Sequence, residues 1–297
     1  MDWDKLRIFH AVAEAGSFTH AGEKLNLSQS AVSRQISALE ENLRVSLFHR
    51  HARGLILTEQ GETLNRTVRE MFSKLSLTQA FLSESKSKAA GQIKITTTTG
   101  FGLCWLTPRL HRFLELHPDI EVTLLVEDDE LDLGMREADV AIRMHPPKQP
   151  DLIQRHLTNF PMPIYSSRAY LEEHGTPNDL ASLARHQLIG FSGWHPPLPN
   201  VNWLVELASQ TLHTTLRNRI EINNLPAVAS AIASGVGIGS LPLYIANSYP
   251  NLVQIMKDQP LPIVEAYFVY PEELRTSKRI SVFRDFLLAE ISNDQKT

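Results

Sequence analysis

Four apolar residues, Val32, Ile36, Leu39 and Leu43, are spaced by four, three and four positions. That spacing places them on one face of an α-helix and cannot fill one face of a strand. Ser28 stands just before them, where its hydroxyl can accept an orphan backbone N–H as an N-cap. A shorter segment carries Phe18, Ala21 and Leu25 and ends in a tight Asn26-Leu27 connection, after Leu6, Phe9, Ala13 and the break at Gly16-Ser17. Residues 18–43 therefore read as a helix–turn–helix.

Gln29, Ser30, Ser33 and Arg34 fall together on the outer face of the second helix, near its N-terminus. In a helix–turn–helix that end enters the major groove. Gln can pair with adenine and Arg with guanine through two hydrogen bonds each, while Ser serves bases or phosphates. The same four side chains would also suit an ordinary solvated helix face. The pattern then changes period. Phe48, Leu55, Ile56 and Leu57 flank the basic run His49-Arg50-His51-Ala52-Arg53-Gly54, which reads as a short β-hairpin with Arg50 and Arg53 placed to hold the nucleic-acid backbone. From residue 58 to about 88, Leu64, Val68, Met71, Leu75 and Leu82 recur at intervals of three, four or seven, as in a coiled-coil seam. Residues 83–91 read as a polar linker.

These residues carry a resemblance. Leu6, Phe9, Gly16-Ser17-Phe18, Ala21, Leu25, Ser28-Gln29-Ser30-Ala31-Val32-Ser33, Ile36, Leu39-Glu40, Leu43, Leu47-Phe48, Arg50, Leu57-Thr58 and Gly61 follow in the order seen in LysR-type transcriptional regulators, whose DNA-binding domain residues 6–61 resemble. Two positions depart from that pattern. Gly22 stands where Ala is common, a change that weakens a helix by roughly 1 kcal/mol on intrinsic propensity. Arg44 stands where Gly is usual, which points to a backbone that is not left-handed there.

The resemblance implies an N-terminal all-α winged helix–turn–helix over residues 1–58, then a linker and dimerisation helix over 59–90. It further implies an α/β effector domain over 91–297, with two lobes resembling a type 2 periplasmic binding protein. Lobe I would comprise 91–161 and 267–297, lobe II 162–266, with crossings at 161–165 and 264–266. The DNA-binding set is then Ser28, Gln29, Ser30, Ser33, Arg34, Arg50 and Arg53, and the implied partner is double-stranded promoter DNA. The long helix would pair two subunits, or its stripe would pack within its own subunit. A homodimer of this kind implies a homotetramer, a dimer of dimers. A small-molecule effector would enter between the lobes.

Residues 93–97, 120–126, 138–142 and 266–270 read as strands, with helices over 106–117 and 277–291, an alternation that argues for sheets covered by helices. Ligands gather at strand C-termini in such lobes. Thr98, Thr99 and Gly100 follow the first strand, and Arg143 and Met144 follow the third. Arg143 would clamp an anionic effector or pair within the fold with Asp128 or Asp129. Ser192, Trp194, Asn223 and Asn224 come from second-lobe loops, with Trp194 equally suited to packing.

Composition narrows the classes. Of 297 residues, 42% are hydrophobic and 21% charged, as in globular chains rather than disordered ones. No run approaches the ~18 apolar residues of a membrane span. The first residues lack the pattern of a secretory signal, so a cytoplasmic location without membrane contact is expected. The single Cys104 precludes an intrachain disulfide; it reads as an inert core thiol or a redox sensor. No histidine spacing suits a metal, and no cofactor motif stands out: Gly235-Val236-Gly237-Ile238-Gly239 follows a helix, so a helix-to-strand turn with left-handed Gly235 explains it better than a dinucleotide loop. The net charge of −4 splits into +2 for residues 1–90 and −6 for the remainder, so the acidic whole does not argue against a nucleic-acid partner. Two other readings are a solute-binding protein of the transport class, from residues 91–297 alone, and an enzyme with a DNA-binding appendage. For the enzyme no catalytic motif is found.

Overall fold

A computed structural model describes residues 2–51, 54–83, 89–146, 149, 152–193 and 196–294. The chain divides into two compact units, 1–84 and 85–297.

The first unit opens with α1 (Trp3–Ala15), α2 (Phe18–Leu25) and α3 (Gln29–Leu43). Asp2 caps α1 by accepting from the Asp4 N–H, and left-handed Gly16 ends it. Left-handed Asn26 ends α2. Ser28 Oγ accepts from Ala31 N at 3.2 Å, which confirms the expected cap of α3. Val32, Ile36 and Leu39 are buried with Leu6, Phe9, Val12 and Ala21 in one core. The antiparallel hairpin β1 (Phe48–His51) and β2 (Gly54–Leu57) pairs Phe48 with Leu57 and His51 with Gly54. Thr58 then accepts from Gly61 N at 2.9 Å and donates to Ser46 O at 2.7 Å, which starts α4 (Glu59–Ser83).

Arg44 and Gly22 both differ from what their residue types suggest. Arg44 is left-handed after all, with φ 55° and ψ 31°. Its N–H donates to Glu41 O, and Val45 N–H donates to Glu40 O; this paired helix-end bonding holds the conformation without glycine. Gly22 is more than a weakened helix position. A Cβ there would lie 2.6 Å from Leu27 O, so the missing side chain lets the turn backbone pass close to α2.

The α4 stripe divides. Val68 is buried and Leu64 half-buried against their own unit's core, whereas Met71 and Leu75 are exposed.

The second unit begins with β3 (Gly91–Thr97), followed by α5 (Thr99–Phe101), a π-helical turn over Gly102–Leu106, a 3-10 turn over Thr107–Arg109 and α6 (Leu110–Leu116). The single helix expected over 106–117 is thus three pieces, with Pro108, which has no N–H to donate, in the middle piece. Then come β4 (Ile120–Val126), β5 (Val140–Arg143) and β6 (Leu152–Pro161). The segment that follows holds β7 (Ile164–Ser167), α7 (Arg168–His174), β8 (Ile189–Phe191), α8 (Trp203–Thr211), β9 (Ile220–Ile222), α9 (Leu225–Ala233), β10 (Ile238–Ser240), α10 (Leu243–Ala246) and β11 (Leu252–Ile255). The chain closes with β12 (Ile263–Pro271) and α11 (Lys278–Asp294).

One five-stranded sheet has the order β4-β3-β5-β12-β6, in which β3 runs parallel to β4 and β5, and β12 antiparallel to β5 and β6. A three-stranded sheet, β10-β7-β11, and the parallel pair β8-β9 belong to the intervening segment. The first crossing between these bodies is Met162-Pro163. The second lies at 256–262, earlier than the expected 264–266, because Ile263 already pairs with Pro161. Met162 N donates to Pro262 O at 3.1 Å and ties the crossings together. Gly235 is left-handed as expected. No helix among the described residues is long and apolar enough to cross a membrane.

Candidate nucleic-acid interface and effector cleft

The α3 stripe faces the core, so the opposite face is presented outward by necessity. Ser28, Gln29, Ser30 and Arg34 are exposed there and Ser33 is half-buried. Ser28 and Ser30 hydroxyls lie 3.1 Å apart, and Arg34 Nε donates to Ser30 O at 3.3 Å. The cap and the first two turns of α3 therefore offer three hydroxyls, an amide and a guanidinium. Arg50 lies on β1 opposite Leu55, which places its backbone in the hairpin. Arg53 lies outside the described residues. The hairpin is fastened to α3 by Glu40, whose Oε1 accepts from Leu47 N and Phe48 N.

In the second unit, the expected ligand residues follow strand C-termini. Thr98 directly follows β3; it is buried and its Oγ1 has no hydrogen-bond partner among the described residues. Thr99 N donates to Asp128 Oδ1 at 2.8 Å. Gly100 is a close-approach position, since a Cβ would lie 2.7 Å from Ile245 Cδ1 on α10. Arg143 is only 3% exposed. Its Nη2 donates to Thr96 Oγ1 at 3.4 Å and Asp129 O at 3.3 Å, while buried Nη1 has no hydrogen-bond partner among the described residues. Its hydrogen bonds thus go to a hydroxyl and a carbonyl, not to a carboxylate. Burial pushes the guanidinium pKa down, opposed by Glu130, Glu127 and Asp128 nearby. Met144 is fully buried in the main core.

Ser192 and Asn223 follow the parallel strands β8 and β9, are both exposed, and are joined through Ser192 N donating to Ile222 O at 3.1 Å. Asn224 caps α9, its Oδ1 accepting from Ala227 N at 3.1 Å. Trp194 lies outside the described residues. Thr98, Thr99 and Arg143 thus stand at the C-terminal ends of β3 and β5, and Ser192, Asn223 and Asn224 just after those of β8 and β9. The sequence gives no sign of Tyr244, a buried tyrosine whose hydroxyl has no hydrogen-bond partner among the described residues. Its apolar neighbours Leu243 and Ile245 made it read as core.

Two family models match the chain along its length. Residues 3–62 match the bacterial regulatory helix–turn–helix protein of the lysR family, and residues 86–292 match the LysR substrate binding domain. The chain belongs to the LysR family of transcriptional regulators. It is 28% identical to the HTH-type transcriptional regulator CrgA of Neisseria meningitidis serogroup C (strain 8013), over 98% of this chain and 97% of that one. Full-length AphB, a virulence activator of Vibrio cholerae in the same family, superposes with a TM-score of 0.61 at 26% identity, covering 97% of this chain and 99% of the other. Full-length CbnR complexed with its target DNA superposes at a TM-score of 0.66 over 99% of each chain; at 19% identity that likeness concerns the fold.

This LysR-type chain therefore joins a helix–turn–helix DNA-binding domain to a two-lobed substrate-binding domain. The family is one of regulators rather than enzymes, and the transport-class reading falls away because the second unit is preceded by the regulator's own DNA-binding domain.

Proposed function

We propose that this regulator reads promoter DNA with Gln29, Ser33 and Arg34 against base edges, while Ser28, Ser30, Arg50 and Arg53 hold phosphates. The observation that carries this reading is the outward face of α3, exposed at Gln29, Ser30 and Arg34 over the buried Val32, Ile36 and Leu39. The organisation is a head over 1–58, a dimerisation helix and hinge over 59–90, and a sensor over 91–297. Exposed Met71 and Leu75 on α4 supply an uncovered apolar stripe for a second subunit, and two such dimers make the tetramer. CbnR, solved with its target DNA, gives the fold-level precedent.

The effector sits where the strand ends of the two lobes meet. Thr98 Oγ1 and Arg143 Nη1, unpartnered among the described residues, offer two buried donors, which suits a small molecule bearing an acceptor such as a carboxylate; Ser192, Asn223 and Asn224 stand on the other lobe's strand ends. An effector shifts the regulator only through unequal affinity for its two arrangements. The test is fluorescence anisotropy on genomic fragments selected by the full chain, against scrambled DNA of the same length. Preference for the selected fragments, steeply weakened by salt, supports the reading. Equal binding to both overturns it.

A further inference from the structure

One cavity of the second unit lies away from the strand ends. It measures about 650 Å³ and is walled by the π-helical turn and the 3-10 turn after β3, the last residues of β6, α10 with the residues after it, and the end of α11. That volume lies within the ~300–1,000 Å³ typical of small-molecule sites. The walls come from both lobes and from the strand that runs into the Met162-Pro163 crossing.

Its chemistry is specific. Phe160 and Tyr244 make an aromatic wall, with ring centroids 4.8 Å apart and nearly perpendicular, and Phe101 stacks behind them on Trp105. Aromatic edges and faces in this arrangement favour a further ring. The Tyr244 hydroxyl is buried with no hydrogen-bond partner among the described residues, and a buried unpaired hydroxyl costs free energy that a ligand acceptor would recover. Charge at the site is already cancelled. Arg109 lies over the Trp105 ring at 4.5 Å and donates to Asp294 at 2.8 Å, while Arg112 pairs with Glu290. Among the described residues two cations meet two carboxylates, so these four groups leave no net charge to select an ion.

We propose that this cavity is a second small-molecule site, distinct from the strand-end cleft, that takes a neutral aromatic molecule bearing a hydrogen-bond acceptor or donor for Tyr244. A ligand seated there braces both lobes against β6 just before the crossing, so it sets the angle between the lobes independently of the first effector.

Cys104 lines the cavity and hydrogen-bonds to Ser248. As the chain's single cysteine, it reports on occupancy without ambiguity. The experiment follows alkylation of Cys104 in the full chain by mass spectrometry, at about pH 8.5 to raise the thiolate fraction, with phenol or indole as probe and benzoate as the charged comparison. Phenol or indole at millimolar concentration is expected to slow alkylation several-fold in a saturable manner, whereas benzoate does so weakly. Asn247→Trp, which fills the cavity, is expected to abolish the concentration dependence. A parallel thermal melt of the wild type, in which phenol or indole raises the midpoint, reads the same site without any variant. Alkylation rates unchanged by either neutral probe, equal protection by benzoate, or full protection retained in a folded Asn247→Trp chain would overturn the proposal.

Discussion

Glu40 Oε1 accepts the Leu47 backbone N–H at 2.7 Å, across the turn that joins α3 to the hairpin. It also accepts from Phe48 N at 3.3 Å, so one carboxylate satisfies two donors at the start of β1. Leu47 is buried, and a buried N–H left unpaired costs about 1–3 kcal/mol. Glu40→Ala is expected to lower the stability of residues 1–84 by that amount, and Glu40→Gln, which keeps an acceptor, by less. Urea titration of the two variants checks the order. Equal stability of wild type and Glu40→Ala would show that the clamp contributes nothing.

Gly22 and Arg44 yield opposite predictions for two reversions toward the family's usual residues. Gly22→Ala gains roughly 1 kcal/mol in helix propensity, but the new Cβ would lie 2.6 Å from the Leu27 carbonyl oxygen, a backbone atom that cannot swing aside. The substitution is expected to destabilise. Arg44→Gly removes a side chain from a left-handed position and is expected to stabilise by roughly 0.5–1 kcal/mol. Thermal melts of both variants should move in opposite directions.

Arg34→Ala removes the exposed guanidinium beside the first turn of α3. Loss of a two-hydrogen-bond contact to a base costs about 1–3 kcal/mol at the cognate pair. Affinity for the selected fragment is therefore expected to fall more than affinity for scrambled DNA. Competition titrations of both DNAs measure the ratio; an unchanged ratio would assign Arg34 to the phosphate backbone.

Burial pushes the Cys104 thiol pKa up, with the Ser248 hydrogen bond opposing that shift more weakly. A raised thiol pKa leaves less thiolate at neutral pH than an ordinary cysteine has, and thiolate is the nucleophile. Alkylation at pH 7 is expected to run slower than that of a model thiol in the same buffer, and to accelerate as pH rises toward and past the ordinary thiol range. Rapid oxidation or alkylation at neutral pH would instead restore the redox-sensor reading.

The head was legible because its apolar stripe, cap and hairpin are local features. Val32, Ile36 and Leu39 can bury together only as a helix, and Ser28 caps the helix it precedes. Arg44 was misread because its left-handed backbone is held by bonds to Glu40 and Glu41, which residue type alone does not reveal. In the second unit, β6 was missed beyond its end at Pro161: Gln154, Arg155 and His156 are exposed on an edge strand, so no apolar alternation marks it. Arg143 was visible as a charge after a strand, but its burial against Thr96 and Asp129 depends on residues 47 and 14 positions away. Tyr244 was invisible for the same reason, since its aromatic partners Phe101 and Phe160 are remote in the chain.

On the proposed function, the exposed face of α3 reads sequence while phosphate contacts supply the rest of the affinity. Anisotropy of the full chain on a selected genomic fragment and on its scrambled counterpart, repeated from about 50 to 200 mM salt, measures both parts at once. Affinity for each DNA is expected to fall steeply with salt while the preference for the selected fragment persists. Identical affinities for the two DNAs at every salt concentration would contradict it.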